Sequence, residues 1–515
     1  MVSKAQVDEL RERQESLSDT KGGREKQHAA GKLTARERIE LLTDPGSFHE
    51  IDAFMESFPP KFGKQKGKAT LRQAVITGAA RIQGRPVYLY SQDFTVEAGA
   101  LGEREARKTA RVIDLSMQNG VPLIGLNDSG GAKVSEGLRN FAFWNIFQRN
   151  VMASGVVPQI FAILGPCAGG AVYSPALGDF IFMVKDISAM FLTGPAVVKA
   201  VTGQEVTKEK LGGPQVQTQH SGVAHFLAAS EKDCMEMIQE LLAYLPSNNR
   251  EKPPRAETGD DPQREDDSLR DLVPEDPRKS YDMRQVIRRI VDGGNFFEVQ
   301  RAFAANMLVG FARMDGESVG VVANQPRVFA GCLDIHASDK AARFIRFCDA
   351  FNIPLVTLVD VPGYMPGLEQ EYGGIIRHGA KMLYAYAEAT VPKVTVILRK
   401  AYGGGISGMC AGKERGADEI LAWPSAEVAA LGAEGAVEVF FSEELKTHPH
   451  PAKRRQELIA EFREQVTSVY AVAGTGRIDR VIDPKETRPA LIRALRTHRT
   501  KSDSIPWKKH GNIPL

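Results

Sequence analysis

Val121-Pro122-Leu123-Ile124-Gly125-Leu126-Asn127-Asp128-Ser129-Gly130 and Ile353-Pro354-Leu355-Val356-Thr357-Leu358-Val359-Asp360-Val361-Pro362-Gly363 follow one pattern: an apolar residue, a proline, an apolar run of strand length, an aspartate and a glycine. The two aspartates are separated by 232 positions (128 to 360). Upstream, Gly84-Arg85-Pro86 and Gly316-Glu317-Ser318 each precede an apolar strand and then a helical stretch. Downstream, Val157-Pro158-Gln159-Ile160-Phe161-Ala162-Ile163-Leu164 is answered by Val391-Pro392-Lys393-Val394-Thr395-Val396-Ile397-Leu398, now 234 positions on (157 to 391). Each of these strands runs into glycines, Gly169-Gly170 in one copy and Gly403-Gly404-Gly405 in the other. A nearly constant offset across 84–195 and 316–432 means a duplicated domain. Strands alternating with amphipathic helices such as Ala106–Gln118 make each copy an α/β layered unit.

The bulk numbers agree with this division. A chain of 515 residues is long for one core, and two domains of roughly 200 residues each are the natural expectation. With 66 basic against 64 acidic residues there is no global field to draw in nucleic acid or anionic lipid. No run approaches ~18 uninterrupted apolar residues, so no membrane span is expected, and the polar N-terminus lacks the apolar core of a signal peptide. Cys167, Cys234, Cys332, Cys348 and Cys410 are dispersed without CxxC spacing. Such a set fits free thiols in a reducing compartment, so a cytoplasmic location is expected. His448 and His450 have no acidic or thiol partner nearby in sequence and read as an exposed loop, so no metal is expected.

Four segments are expected. Residues 1–45 are helical and lie outside the repeat, with Thr34 as an N-cap and Glu37 completing a capping box. Residues 46–245 form the first domain, and 281–515 the second. Between them, 246–280 carries Pro253-Pro254, Gly259-Asp260-Asp261-Pro262 and Glu265-Asp266-Asp267, the composition of a linker. A basic loop of Lys61, Lys64, Lys66 and Lys68 reads first as a solvated face. Pro451–Tyr470 is helical in pattern, and a basic tail forms a surface arm.

The glycine clusters are where chemistry is expected. Glycine admits backbone dihedrals closed to other residues and lets another group approach the main chain. At a helix start, free N–H groups face outward with the helix dipole behind them. Two such donors make an oxyanion hole, which stabilises charge developing on a carbonyl oxygen. Tight helix–sheet packing would explain a single cluster; two at matching positions favour function. GxxxxGK[ST] and GxSxG patterns are both absent here, which disfavours a phosphate loop and a serine hydrolase. No His, Glu or Asp sits in either cluster, so a base would come from elsewhere, such as a cofactor brought in on another molecule.

These residues also carry a family resemblance. The chain resembles the carboxyltransferase (β) subunits of biotin-dependent acyl-CoA carboxylases, nearest the propionyl-CoA carboxylase type, from about Gly31 to the C-terminus. The shared motifs include Asn127–Ala132, Gly165–Ala176, Ser221–His225, Ala330–Ile335, Ala337–Phe344, Gly374–Lys381, Arg399–Gly404 and Ala422–Val428. The resemblance implies two duplicated crotonase-like (ββα superhelix) domains. It further implies a homo-hexamer built as a trimer of dimers, with each site between the N-domain of one subunit and the C-domain of its mate. By that match Gly169 and Gly170 would hold the thioester oxygen of the acyl-CoA, and Gly404 and Gly405 the ureido oxygen of biotin. Biotin would then be the base. It would sit on a separate biotin carboxylase/carrier subunit, because Ala380-Lys381-Met382, faintly similar to an attachment site, lies in helical pattern. Where the propionyl type usually reads Gly-Gly-Ala-Tyr-Asp, this chain has Gly403-Gly404-Gly405-Ile406-Ser407. Ile406 and Ser407 are therefore the expected selectivity positions; Ser407–Cys410 is similar to the 3-methylcrotonyl branch. The expected reaction carboxylates a short-chain acyl-CoA, propionyl-CoA giving methylmalonyl-CoA. The alternatives are a biotin-dependent decarboxylase or transcarboxylase subunit and a non-catalytic assembly subunit.

Overall fold

Gln83 and Gly84 both take positive φ (50° and 77°), the requirement of a two-residue type I′ turn, and they close a hairpin between β2 (Val75–Ile82) and β3 (Arg85–Gln92). Asp315 and Gly316 repeat the device at 54° and 76° between β10 (Met307–Met314) and β11 (Glu317–Asn324). The duplication is thus visible in individual dihedrals. The structure, a computed structural model, describes residues 2–56, 58, 72–276 and 278–515. Lys61, Lys64, Lys66 and Lys68 lie outside the described residues.

The chain divides into two compact units, Met1–Glu251 and Lys252–Leu515. The first holds β1 (His49–Ile51), β2, β3, β4 (Leu123–Ser129), β5 (Gln159–Ala168), β6 (Phe180–Val184), β7 (Ala189–Phe191) and β8 (Phe226–Ala228). Their order in the sheet is β1-β2-β3-β4-β5-β6-β8, with β7 on the far end of β5. The second unit has β9 (Phe296–Val299), β10, β11, β12 (Leu355–Val361), β13 (Lys393–Tyr402), β14 (Glu419–Ala422), β15 (Glu427–Ala429) and β16 (Arg480–Val481). Their order is β9-β10-β11-β12-β13-β14-β16, with β15 on β13. In both sheets the first three strands are antiparallel and the rest parallel. The α/β class and the duplication are as expected.

Helices cover the parallel strands, so β4, β5 and β6 are buried almost throughout and read as unbroken apolar runs. The helix Glu103–Asn119 packs against β2 and β3, and its counterpart Ile335–Ala350 against β10 and β11. Each is followed by a left-handed residue, Gly120 (φ 61°) and Asn352 (φ 57°), the two residue types that tolerate it best. Each also buries a lysine: Lys108 donates to Val75 O (3.1 Å), and Lys340 to the carbonyls of Gln300 (2.9 Å) and Phe303 (2.8 Å). In the second core Trp423 is fully buried, its indole N–H donating to Thr487 Oγ1 at 2.9 Å. No helix among the described residues is long and apolar enough to cross a membrane.

The helix Ala35–Leu42 belongs to the first unit, with the Thr34 cap and Glu37 bonding reciprocally (3.2 and 2.9 Å) as expected. The stretch 246–280 divides at Lys252. Its later part is tied into the second unit by the Asp260 carboxylate, which accepts the Gly293 N–H (2.9 Å), and by Arg488, which donates to Asp261 O (3.1 Å). The helical stretch after Pro451 runs to Phe462, is interrupted by a wider turn at Arg463–Thr467, and resumes at Val469–Ala473.

Candidate active site

Both glycine clusters end the longest parallel strand of their unit. β5 leads into a tight turn at Gly169–Val172 and then the short helix Tyr173–Ala176; β13 leads through Gly403 into the helix Gly404–Gly408. Gly169 (φ 60°) and Gly403 (φ 54°) take the same left-handed step, so they are structural equivalents. Gly170 therefore matches Gly404, and Ala171 matches Gly405. The expected donor pairs, Gly169–Gly170 and Gly404–Gly405, are offset by one residue in this register. The first N–H groups of each turn have no acceptor within the turn, the property an anion or oxyanion site needs.

What a side chain would meet differs along the clusters. At Gly170 an added Cβ would lie 3.8 Å from the nearest atom of Phe143, an ordinary contact. At Gly404 it would come within 3.1 Å of the Tyr364 ring, and at Gly405 within 2.9 Å of Val361 Cγ1. Gly404 is exposed while Gly405 is buried. Ile406 lines a cavity of about 410 Å³ with Leu431, Phe440, Phe462, Val466 and Val472, and Ser407 is the next, half-buried residue of the same short helix. Beside the first turn, Tyr173 and Leu177 join Trp144, Phe147, Val151 and Met152 around an apolar depression of about 750 Å³.

Sequence reasoning missed how the strands are re-aimed at these turns. The β4–β5 ladder runs regularly to Asn127↔Ile163 and resumes at Ser129↔Cys167, so Asp128 alone faces three residues. The second sheet repeats this, from Val359↔Ile397 to Val361↔Ala401, with Asp360 in the gap. Such an irregularity bends a strand. Beyond it β5 leaves β6 and pairs with β7, as β13 leaves β14 and pairs with β15. Both aspartates are buried and ion-paired, Asp128 with Lys32 (2.6 Å) and Arg38 (2.9 Å), and Asp360 with Arg399 (3.0 Å). Cys167, beside Asp128 in the bend, has its thiol pushed up to about 12 by burial and then by that carboxylate.

A second pair of turns was also missed. Glu97-Ala98-Gly99 and Phe329-Ala330-Gly331 all have positive φ, and a Cβ at Gly99 or Gly331 would lie 2.1 or 2.6 Å from the carbonyl oxygen of Asp128 or Asp360. Glycine is required there by close approach, while four non-glycine residues carry strain of the kind that collects at functional sites. The matching spacing of Ala98-Gly99 and Ala330-Gly331 was the available signal.

Lys381 sits inside the helix Ile375–Glu388, its ammonium 2.9 Å from Asp339 and mostly shielded, so it is held in a structural ion pair. Among the described residues no cluster of three or more His, Cys, Asp or Glu side chains is arranged to hold a metal. His448 is half-buried and His450 exposed, with the His450 N–H donating to His448 Nδ1.

Two repeats thus each end their central strand in a glycine-led turn into a short helix. The chain belongs to the carboxyl transferase domain family, which it matches over residues 26–513. It is 54% identical to the propionyl-CoA carboxylase carboxyltransferase subunit of Haloferax mediterranei over all of both chains. It is also 54% identical to the methylmalonyl-CoA decarboxylase subunit alpha of Veillonella parvula, over 95% of each. The transcarboxylase 12S crystal structure, with methylmalonyl-coenzyme A and methylmalonic acid bound, superposes with a TM-score of 0.96 at 48% identity, covering 100% of this chain and 99% of that one. The fold is the duplicated crotonase-like arrangement expected from the sequence.

Proposed function

We propose that this chain is the carboxyltransferase subunit of a biotin-dependent acyl-CoA carboxylase. It moves the carboxyl group from carboxybiotin on a separate carrier to the α-carbon of a short-chain acyl-CoA, with propionyl-CoA giving methylmalonyl-CoA. The observation that carries this reading is the pair of equivalent glycine turns, each opening a short helix with no side-chain cap on its first N–H groups. Gly169 and Gly170 hold the thioester oxygen as the α-carbon loses its proton, and Gly404 and Gly405 face the ureido oxygen. One such donor is worth about 3 kcal/mol of barrier. The second turn fits biotin because Gly404 is exposed, a Cβ there would crowd Tyr364, and an apolar cavity lies beside Ile406. When bound, biotin supplies the carboxyl group and then the base that neither turn contains.

The assembly proposed is a homo-hexamer, from the likeness to the 12S transcarboxylase, which assembles as a hexamer. The compartment that suits five free cysteines is a reducing one such as the cytoplasm. Equal identity to a methylmalonyl-CoA decarboxylase subunit favours a second reading in which the partner subunits run the same transfer in reverse.

The purified chain alone should be inert and should carboxylate propionyl-CoA once a biotin carboxylase/carrier subunit, ATP and bicarbonate are added. Co-purification with a membrane decarboxylase instead would overturn the carboxylase reading in favour of the second.

A further inference from the structure

The two repeats solve the same electrostatic problem with different parts of the chain. In the second unit the bend in β13 is held internally. Arg399 pairs with Asp360, Asp360 Oδ1 accepts the Lys400 N–H (3.2 Å), and Ser425 Oγ donates to the freed carbonyl of Leu398 (2.7 Å). The offset of the glycine turns puts Gly165 where Arg399 stands and Leu164 where Leu398 stands. No side chain fits at Gly165, since a Cβ would lie 2.0 Å from Asp128 Oδ1 and 2.8 Å from Lys32 Nζ.

The space is filled from outside the repeat. Lys32 Nζ meets Asp128 Oδ2 at 2.6 Å. Arg38 reaches the same oxygen at 2.9 Å, donates to Leu164 O at 2.8 Å, and is backed by Glu231 at 2.9 Å. Arg38 thus does for Leu164 what Ser425 does for Leu398, while the two cations together do for Asp128 what Arg399 does for Asp360. The four charges of the first cluster sum to zero, as do the two of the second. All are at most 8% exposed, where an unpaired charge is costly.

We propose that Lys32 and Arg38 are positioning residues for the first glycine turn, replacing from the N-terminal segment the cation that the second repeat carries at Arg399. Through Asp128 and Leu164 O they hold the bend that delivers β5 to Gly169–Gly170. The proposed catalytic consequence rests on the oxyanion reading of those turns, but the effect on backbone order does not.

The test compares Lys32→Met and Arg399→Met with the wild-type full chain by hydrogen exchange and mass spectrometry, using peptides covering 159–176 and 393–408. Lys32→Met should speed exchange at least tenfold in the first segment and leave the second unchanged; Arg399→Met should do the opposite. Arg38→Met removes the donor to Leu164 O and leaves the buried Glu231 without its cation, a larger disruption than Lys32→Met, so Lys32 carries the test. With the partner subunits added, Lys32→Met should lower kcat by about 10- to 100-fold, since small misplacement of a catalytic group costs that much. The KM for the carrier should stay unchanged, and ethylammonium should restore part of the kcat of Lys32→Ala. Wild-type exchange in the first segment of Lys32→Met would overturn the proposal. Altered exchange in a series whose wild type transfers no carboxyl group would sustain the positioning role and overturn the reading of the turns.

Discussion

Gly404 is the first residue of its helix, and that position allows the N–H itself to be tested. Proline is tolerated at the first helical residue, where its fixed φ suits the helix and its missing N–H would bond nothing inside it. Gly404→Pro therefore deletes the proposed donor at little cost to the helix. A Cβ at 404 would stand 3.1 and 3.3 Å from Tyr364 ring carbons, so the ring must yield by a few tenths of an ångström. Gly404→Ala imposes the same displacement but keeps the N–H, so the difference between the two variants isolates the donor. At about 3 kcal/mol per donor and 1.36 kcal/mol per decade, kcat for carboxyl transfer should be roughly 10²-fold lower in Gly404→Pro than in Gly404→Ala. Gly170→Ala and Gly170→Pro repeat the comparison in the first turn. There the alanine meets nothing closer than 3.8 Å and should stay within a few-fold of wild type. Steady-state transfer with the carrier, beside circular dichroism to show equal folding, gives the answer. Equal kcat in the folded proline and alanine variants would refute the oxyanion assignment.

Three further outcomes are expected. Ser407→Asp places a charge on the half-buried helix beside Ile406, where burying it against alkyl groups costs several kcal/mol; it should narrow acceptance toward propionyl-CoA, and unchanged kcat/KM ratios across acetyl-, propionyl-, butyryl- and 3-methylcrotonyl-CoA would remove Ser407 from the acyl pocket. Burial pushes the thiols of Cys167, Cys234, Cys332 and Cys348 all up, so access decides, and native protein treated with iodoacetamide at pH 8 should label Cys332, the one half-buried cysteine, first by peptide mass spectrometry. Lys340→Met strands the buried carbonyl of Phe303, while Gln300 O keeps the Phe303 N–H, and should cost about 1–3 kcal/mol in urea titrations that follow the second unit.

The duplication, the α/β class, the strand-to-turn glycines and the Thr34 cap could all be read from residue order, because each is written in local terms. A period of two or 3.6, a two-residue hairpin and a capping box involve residues a few positions apart, and a repeated offset needs only comparison of the chain with itself. The register of the glycine turns was legible only to within one residue. Gly169 and Gly403 are equivalent because both take positive φ, a choice made by the strands that feed them rather than by the letters Gly-Gly.

The charges behind the turns belong to tertiary structure alone. Asp128 and Asp360 occupy matching places in matching motifs, yet one is neutralised by a residue on the adjacent strand and the other by Lys32 and Arg38, 96 and 90 positions away. No periodicity links those positions. A buried carboxylate must find a cation wherever the fold brings one, and the missing side chain at Gly165 leaves that place to the N-terminal segment.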